Sequence, residues 1–157
     1  MSQFQVFDFR DEFYLKTFRR LYLITTLCSN KKFSSGVSLQ KAGFVDFLLD
    51  NPSVLRRFLV HFGKADPSLN LDDLLYRDDA ESGGGLDMTD FSRTCALLIS
   101  RGHIRFDKNE GEIILIPSGA NFSVDNMMAR RWEKEVSLIQ PLLSKSMTVL
   151  SGGILRG

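Results

Sequence analysis

Apolar and polar positions along the chain recur with a helical period over most of its length. Over residues 11–28, Glu12, Lys16 and Arg20 form a polar stripe opposite Tyr14, Phe18, Leu21, Ile24 and Cys28, which predicts a first helix. Its second half, "LYLITTLC", is apolar almost all round and belongs in a core. After the loop "SNKKFSSGVS", Ser38 is placed to cap a second helix in which Leu39, Gly43 and Phe47 follow i, i+4, i+8 spacing, with Gly43 allowing a neighbouring helix to approach. At Asn51-Pro52 one helix should stop and another start without a loop. Pro52 has no N–H to satisfy at the first helical position, and Asn51 can cap the new helix. That third helix is expected to bury Val54, Leu55, Phe58, Leu59 and Phe62 and to expose Arg56, Arg57 and Lys64.

A short fourth helix is predicted from Asn70 to Tyr76, followed by the acidic, glycine-rich "RDDAESGGG", read as a flexible connection over 78–87. No Gly-Lys-Ser or Gly-Lys-Thr follows those glycines, so they do not form a phosphate-binding loop. Asp87 can then cap a helix that buries Met88, Phe91, Cys95 and Leu98 and closes at Gly102. A hairpin follows directly: Ile104 and Phe106 alternate with His103, Arg105 and Asp107, "KNEG" supplies the turn, and "EIILIP" returns as the second strand. The pattern "LLISRGHI...EIILIPSG" resembles the end of many winged helix-turn-helix domains, where the recognition helix runs straight into the wing. Finally, Ser123 can cap a long helix with Trp132, Val136, Ile139, Leu143, Met147 and Leu150 on one stripe, kinked or restarted at Pro141, before a tail "SGGILRG" expected to fray. The expected fold is mainly α with a small β-hairpin, a winged helix-turn-helix core with a long C-terminal helix. It forms one domain over 1–157, divided into a helical half (11–77), the loop (78–87), a helix plus wing (88–122) and a C-terminal helical region (123–151).

Composition narrows the function. With 43% apolar and 25% charged residues, the 157-residue chain has the profile of a globular domain. Twenty basic residues against nineteen acidic leave a net charge of +1, which argues against wrapping nucleic acid by bulk charge. Cys28 and Cys95 lie far apart within apolar helical patterns and are expected to be reduced thiols in a cytoplasmic protein; no leader-like start or membrane-length apolar run is read. His61 and His103 are separated in sequence, no His/Cys/Asp/Glu cluster has metal spacing, and no nucleophile elbow occurs. The expectation is therefore a protein that is not an enzyme and uses no cofactor, metal or small-molecule substrate.

Charge also bears on what a wing could meet. The outward stripe of the helix before the hairpin is expected to be Asp90, Arg93, Thr94, Leu97 and Arg101, preceded by Asp78, Asp79, Glu81 and Asp87, while the wing tip carries Lys108 against Glu110 and Glu112. Carboxylates brought against phosphates are repelled and release no counterions, so base reading through this surface is disfavoured. Leu97 amid mixed charges fits a protein contact better. The candidate partner interface is accordingly Arg93, Leu97 and Arg101, with the stripe Trp132, Val136, Ile139, Leu143 and Met147 as a second surface or as cover for the domain's own core. Arg56, Arg57 and Lys64 are weak candidates for nucleic-acid contact.

A helix rich in Leu and Tyr, then "LQKAGFVDFLLDNPSVLRRFL", then a winged-helix ending, resembles the small middle component of bacterial ABC-type three-component conflict systems, most like the middle subunit of Lamassu anti-phage defence. The stretch "DFLLDNPSVL" is its most characteristic piece. The resemblance implies a non-catalytic adaptor beside an SMC-like ABC ATPase that senses DNA and a separate effector nuclease, with DNA met mainly through the complex and no membrane partner. The alternative is a winged-helix transcription regulator that binds DNA as a homodimer through its C-terminal helices.

Overall fold

Neither proline nor glycine interrupts residues 9–28, and the first helix, α1 (Phe9–Cys28), runs through all of them. The structure, a computed structural model, describes residues 9–64, 87–118 and 127–156. After α1, Asn30 caps a single 3-10 turn (Lys31–Phe33) by accepting from the Lys32 N–H, and the chain enters the two-residue strand β1 (Val37–Ser38). Ser38 then closes the strand and caps α2 (Leu39–Asp50), its hydroxyl accepting from the Lys41 N–H at 3.2 Å. Helix α3 (Pro52–His61) begins at once with Pro52 in its first turn.

The junction departs from expectation in one detail. Asn51 occupies the N-cap position of α3, its carbonyl accepting from the Leu55 N–H at 3.0 Å, but its side chain makes no capping bond: Nδ2 turns back and donates to the Phe47 carbonyl at 2.9 Å, at the end of α2. Helix α3 buries Val54, Leu55, Phe58 and Leu59 and leaves Arg56, Arg57, Val60 and His61 outside, with Phe62 half-buried just beyond it. The helix expected over Asn70–Tyr76 and the acidic loop lie outside the described residues, apart from Asp87 at the loop's end.

Helix α4 (Thr89–Ser100) starts with the Asp87 carboxylate accepting from the Thr89 N–H at 2.9 Å, a contact that holds the exposed Asp87 carboxyl below its usual pKa. It ends in a Schellman arrangement: the Gly102 N–H reaches the Ile99 carbonyl, the His103 N–H reaches Leu98, and Gly102 takes φ +79°. Strand β2 (Ile104–Asn109) follows and pairs along its whole length with β3 (Glu112–Pro117). Glu110 and Gly111 make the turn at φ 53° and 82°, the positive values a tight two-residue hairpin requires. The sheet is antiparallel in the order β1-β3-β2, with Val37 opposite Leu115 and Phe106 also opposite Leu115. Leu115 on the central strand is buried, as is Ile104, whereas Phe106 on the edge strand is 52% exposed.

The long C-terminal helix is broken. Helix α5 (Met127–Ile139) gives way to a 3-10 segment (Gln140–Ser144) at Pro141, and α6 (Met147–Arg156) starts afresh; the expected cap at Ser123 lies outside the described residues. The tail expected to fray is helical as far as Arg156. Gly153 sits against Phe58 and Phe62, where an added Cβ would come within 3.1 Å of one ring and 2.6 Å of the other, so the missing side chain lets α6 dock on α3.

One core joins all these elements. Leu23, Ile24 and Leu27 of α1 meet Phe44 and Leu48 of α2, Phe58 of α3, Leu115 of the sheet and Ile139 and Leu143 of the C-terminal region. Trp132 packs on Phe18 and Tyr22 with ring centroids 5.7 and 5.8 Å apart. Gly43 faces α4 closely, as its lack of a side chain allows: a Cβ there would run into the Met88 side chain and lie 3.2 Å from Phe91. No described helix is long and apolar enough to cross a membrane.

Candidate docking groove

Two adjacent arginines on α1 organise the face where α1, α2 and α4 converge. Arg20, expected on a solvated stripe, is buried, and so is Arg19. Asp46 of α2 accepts Arg19 Nε on one carboxylate oxygen at 2.9 Å and Arg20 Nε on the other at 3.1 Å. Arg19 also reaches Asp50 at 3.1 Å. Arg20 extends to α4, donating to the Asp90 carboxylate at 2.9 Å and to the Thr94 hydroxyl, while its guanidinium carbon lies 5.8 Å from the centre of the Phe91 ring. Burial works against the Arg19 charge, but Asp46 and then Asp50 outweigh it, and its pKa is raised.

This network was not singled out by sequence reasoning, although two signals pointed to it. Asp46 interrupts the otherwise apolar "FVDFLL", and Arg19-Arg20 lead directly into "LYLITTLC". A charge inside an apolar helical run needs a partner inside the fold. Each carboxylate of the network is held by a guanidinium, while Arg19 Nη2 is buried without a hydrogen-bond partner. It also changes the stripe expected to face outward from α4, because Thr94 is buried under Arg20 and Asp90 is engaged by it.

One helical turn beyond Thr94, the same two helices leave a groove of about 460 Å³. Phe13, Tyr14, Thr17, Phe18 and Leu21 of α1 form one wall. Leu97, Leu98 and Arg101 of α4 form the other, with His103 at the end. Leu97 is half-buried in that wall rather than isolated on an outward stripe, while Arg93 and Arg101 are exposed. Phe13 is 45% and Tyr14 65% exposed, so two aromatic rings stand in water at the mouth. Neither was among the sequence-derived candidates, because the same period that places Tyr14 beside Phe18 and Leu21 reads equally as a core face.

The second candidate surface is corrected. Trp132, Val136, Ile139 and Leu143 are buried in the domain's own core and Met147 is packed against it, so the C-terminal stripe offers no free face for a partner. Arg56, Arg57 and Lys64 are exposed near one another in sequence on and just after α3 and are not among the groove-lining residues. Among the described residues no three of His, Cys, Asp and Glu are grouped to hold a metal ion, and both cysteines are free thiols. No protein family, no curated protein and no solved structure matches the chain.

Proposed function

We propose that the chain is a non-catalytic, winged-helix-like adaptor subunit of an SMC-like ABC ATPase in an anti-phage defence complex, linking the DNA-sensing ATPase to an effector nuclease. The order α1-β1-α2, then α4-β2-β3 with the sheet arranged β1-β3-β2, supports the winged-helix part of this reading. The observation that carries the adaptor role is the groove between α1 and α4. Its exposed Phe13 and Tyr14 lie on α1, which Arg20 ties to α2 and α4 through Asp46, Asp90 and Thr94, and they border an apolar surface of the kind that receives a protein side chain. The assignment to a defence complex rests on the resemblance of "DFLLDNPSVL" and its flanking elements.

A weak direct role in DNA binding agrees with the charge distribution. Lys108 at the wing tip is offset by Glu110 and Glu112, all exposed, and Asp87 and Asp90 lie at the start of α4. A homodimeric regulator would have to pair through other residues of the C-terminal helices, because Trp132, Val136, Ile139 and Leu143 are buried in the core. Affinity purification of the tagged full chain from its native host tests the adaptor reading. A large ATPase should co-purify in stoichiometric amount, and its absence under conditions that preserve other complexes would sink the proposal.

A further inference from the structure

We propose that the α1–α4 groove receives an acidic amphipathic helix of a protein partner, with the partner's apolar face against Tyr14, Phe18 and Leu97 and its carboxylates on Arg101 and His103. The inference rests on the reading of the chain as a docking subunit and names the chemistry of what docks. The dimensions suit a helix. From Phe13 to Leu21 the α1 wall rises by roughly 12 Å at 1.5 Å per residue, about two turns, so anchors one turn apart on a partner helix can both enter. A groove of about 460 Å³ holds a few side chains, not a whole domain.

Charge selects the sign of the partner. Arg101 and His103 are exposed at the rim, neither makes an ion pair with a residue whose side chain is described, and the side chains described along the groove include no carboxylate. Asp90, the one carboxylate of α4, lies at the opposite end of the helix, about 16 Å along its axis from Arg101. A cationic partner is therefore repelled at the rim, whereas glutamates flanking apolar anchors gain charge-assisted hydrogen bonds to Arg101. Because Arg20 already ties the two walls together beside Thr94, the groove needs little rearrangement on binding.

The test uses the full chain and three labelled probes: a short helical peptide with leucines on one face and glutamates on the other, its counterpart with lysine for every glutamate, and an oligothymidylate. The glutamate peptide should bind at least about tenfold more tightly than the lysine peptide, with resonances of Tyr14, Leu97 and His103 shifting on titration. Arg101→Glu, at an exposed position without an ion partner, should keep the melting temperature and invert the preference between the two peptides. Equal binding of both peptides, binding of neither, or tighter binding of the oligothymidylate would overturn the proposal. So would a large gain in affinity on deleting residues 1–8, which would make the chain's own N-terminus the occupant, or a dimer in solution that Tyr14→Asp dissociates, which would make it a second copy. Failure here is separable from failure of the adaptor reading: an ATPase that co-purifies equally with wild type and Arg101→Glu leaves the adaptor standing and removes the groove.

Discussion

Arg20 and Asp46 meet at 3.1 Å, Nε to Oδ2, with side chains only 6% and 7% exposed. The pair stands in the interior because Asp46 is shared with Arg19 and because Arg20 has further acceptors on α4. Two cations are thus held by one buried carboxylate and by groups nearer the surface. Removing that carboxylate takes away the one buried counter-charge both guanidiniums share, leaving Arg19 with Asp50 and Arg20 with Asp90 and Thr94. Asp46→Ala should destabilise the fold by about 3–5 kcal/mol, measured by urea denaturation. Replacing Arg19, Asp46 and Arg20 together with Met, Leu and Met should cost far less than Asp46→Ala, since the three buried charges go together and the carboxylates left behind, Asp50 and Asp90, are 36% and 65% exposed. Equal losses in the two variants would show that packing, not charge, dominates at this site.

Burial and exposure separate core from contact at two aromatic residues. Trp132→Ala, in the core beside Phe18 and Tyr22, should cost about 3–5 kcal/mol. Tyr14→Ala should change stability by less than about 0.5 kcal/mol, its ring being largely in water, yet weaken co-purification of the ATPase. Leu97→Asp is a poorer probe because Leu97 is half-buried, so lost binding and lost stability would arrive together. A Tyr14→Ala chain that retains its partner at wild-type level would move the contact away from the groove.

Burial pushes the Cys28 thiol up to about 11 and the Cys95 thiol up to about 12, from an ordinary value of 9.0. At pH 8 a thiol with a pKa near 11 is ionised roughly one part in a thousand, against about one in ten for an unperturbed one, so labelling of the native chain by a disulfide reagent should be about a hundredfold slower than in urea. The raised folded values also fix the sign of a stability effect. The contribution is fully present below pH 9, where the unfolded thiols stay protonated, and is lost as pH rises through 11 and 12. Urea midpoints taken below and above pH 9 should therefore fall more steeply in wild type than in Cys28→Ala/Cys95→Ala. Parallel slopes would refute the assignment.

Arg56, Arg57 and Lys64 are exposed, and α3 itself carries no carboxylate. The isolated chain should bind duplex DNA without sequence preference and no more tightly than the usual non-specific range of roughly 10⁻⁴–10⁻⁶ M at physiological salt. Arg56→Glu/Arg57→Glu should weaken that binding uniformly across sequences and reduce the salt slope by about 2. Fluorescence anisotropy across a salt series measures both. Selective binding to one sequence would favour a DNA-reading regulator.

Local chemistry alone determined much of this architecture. Ser38 as a cap, Pro52 in the first turn of α3, the closing glycine at position 102 and the Glu110-Gly111 reversal follow from groups within a few residues of one another, so they were legible without a fold. The apolar periods likewise marked the inner faces of α3 and α4. Periodicity says which side of a helix is apolar, but not what covers it. Only the tertiary structure decided that the Trp132–Leu143 stripe is enclosed while Phe13 and Tyr14, on an equally apolar face, stand open. Asn51 shows the same limit at short range, since its amide had two helix ends within reach and the backbone at the junction turned it to Phe47. The arginine network is the clearest case. Arg20 and Thr94 are 74 positions apart, and Arg20 is desolvated only because α2 and α4 close over it; on an isolated helix its charge would stay in water.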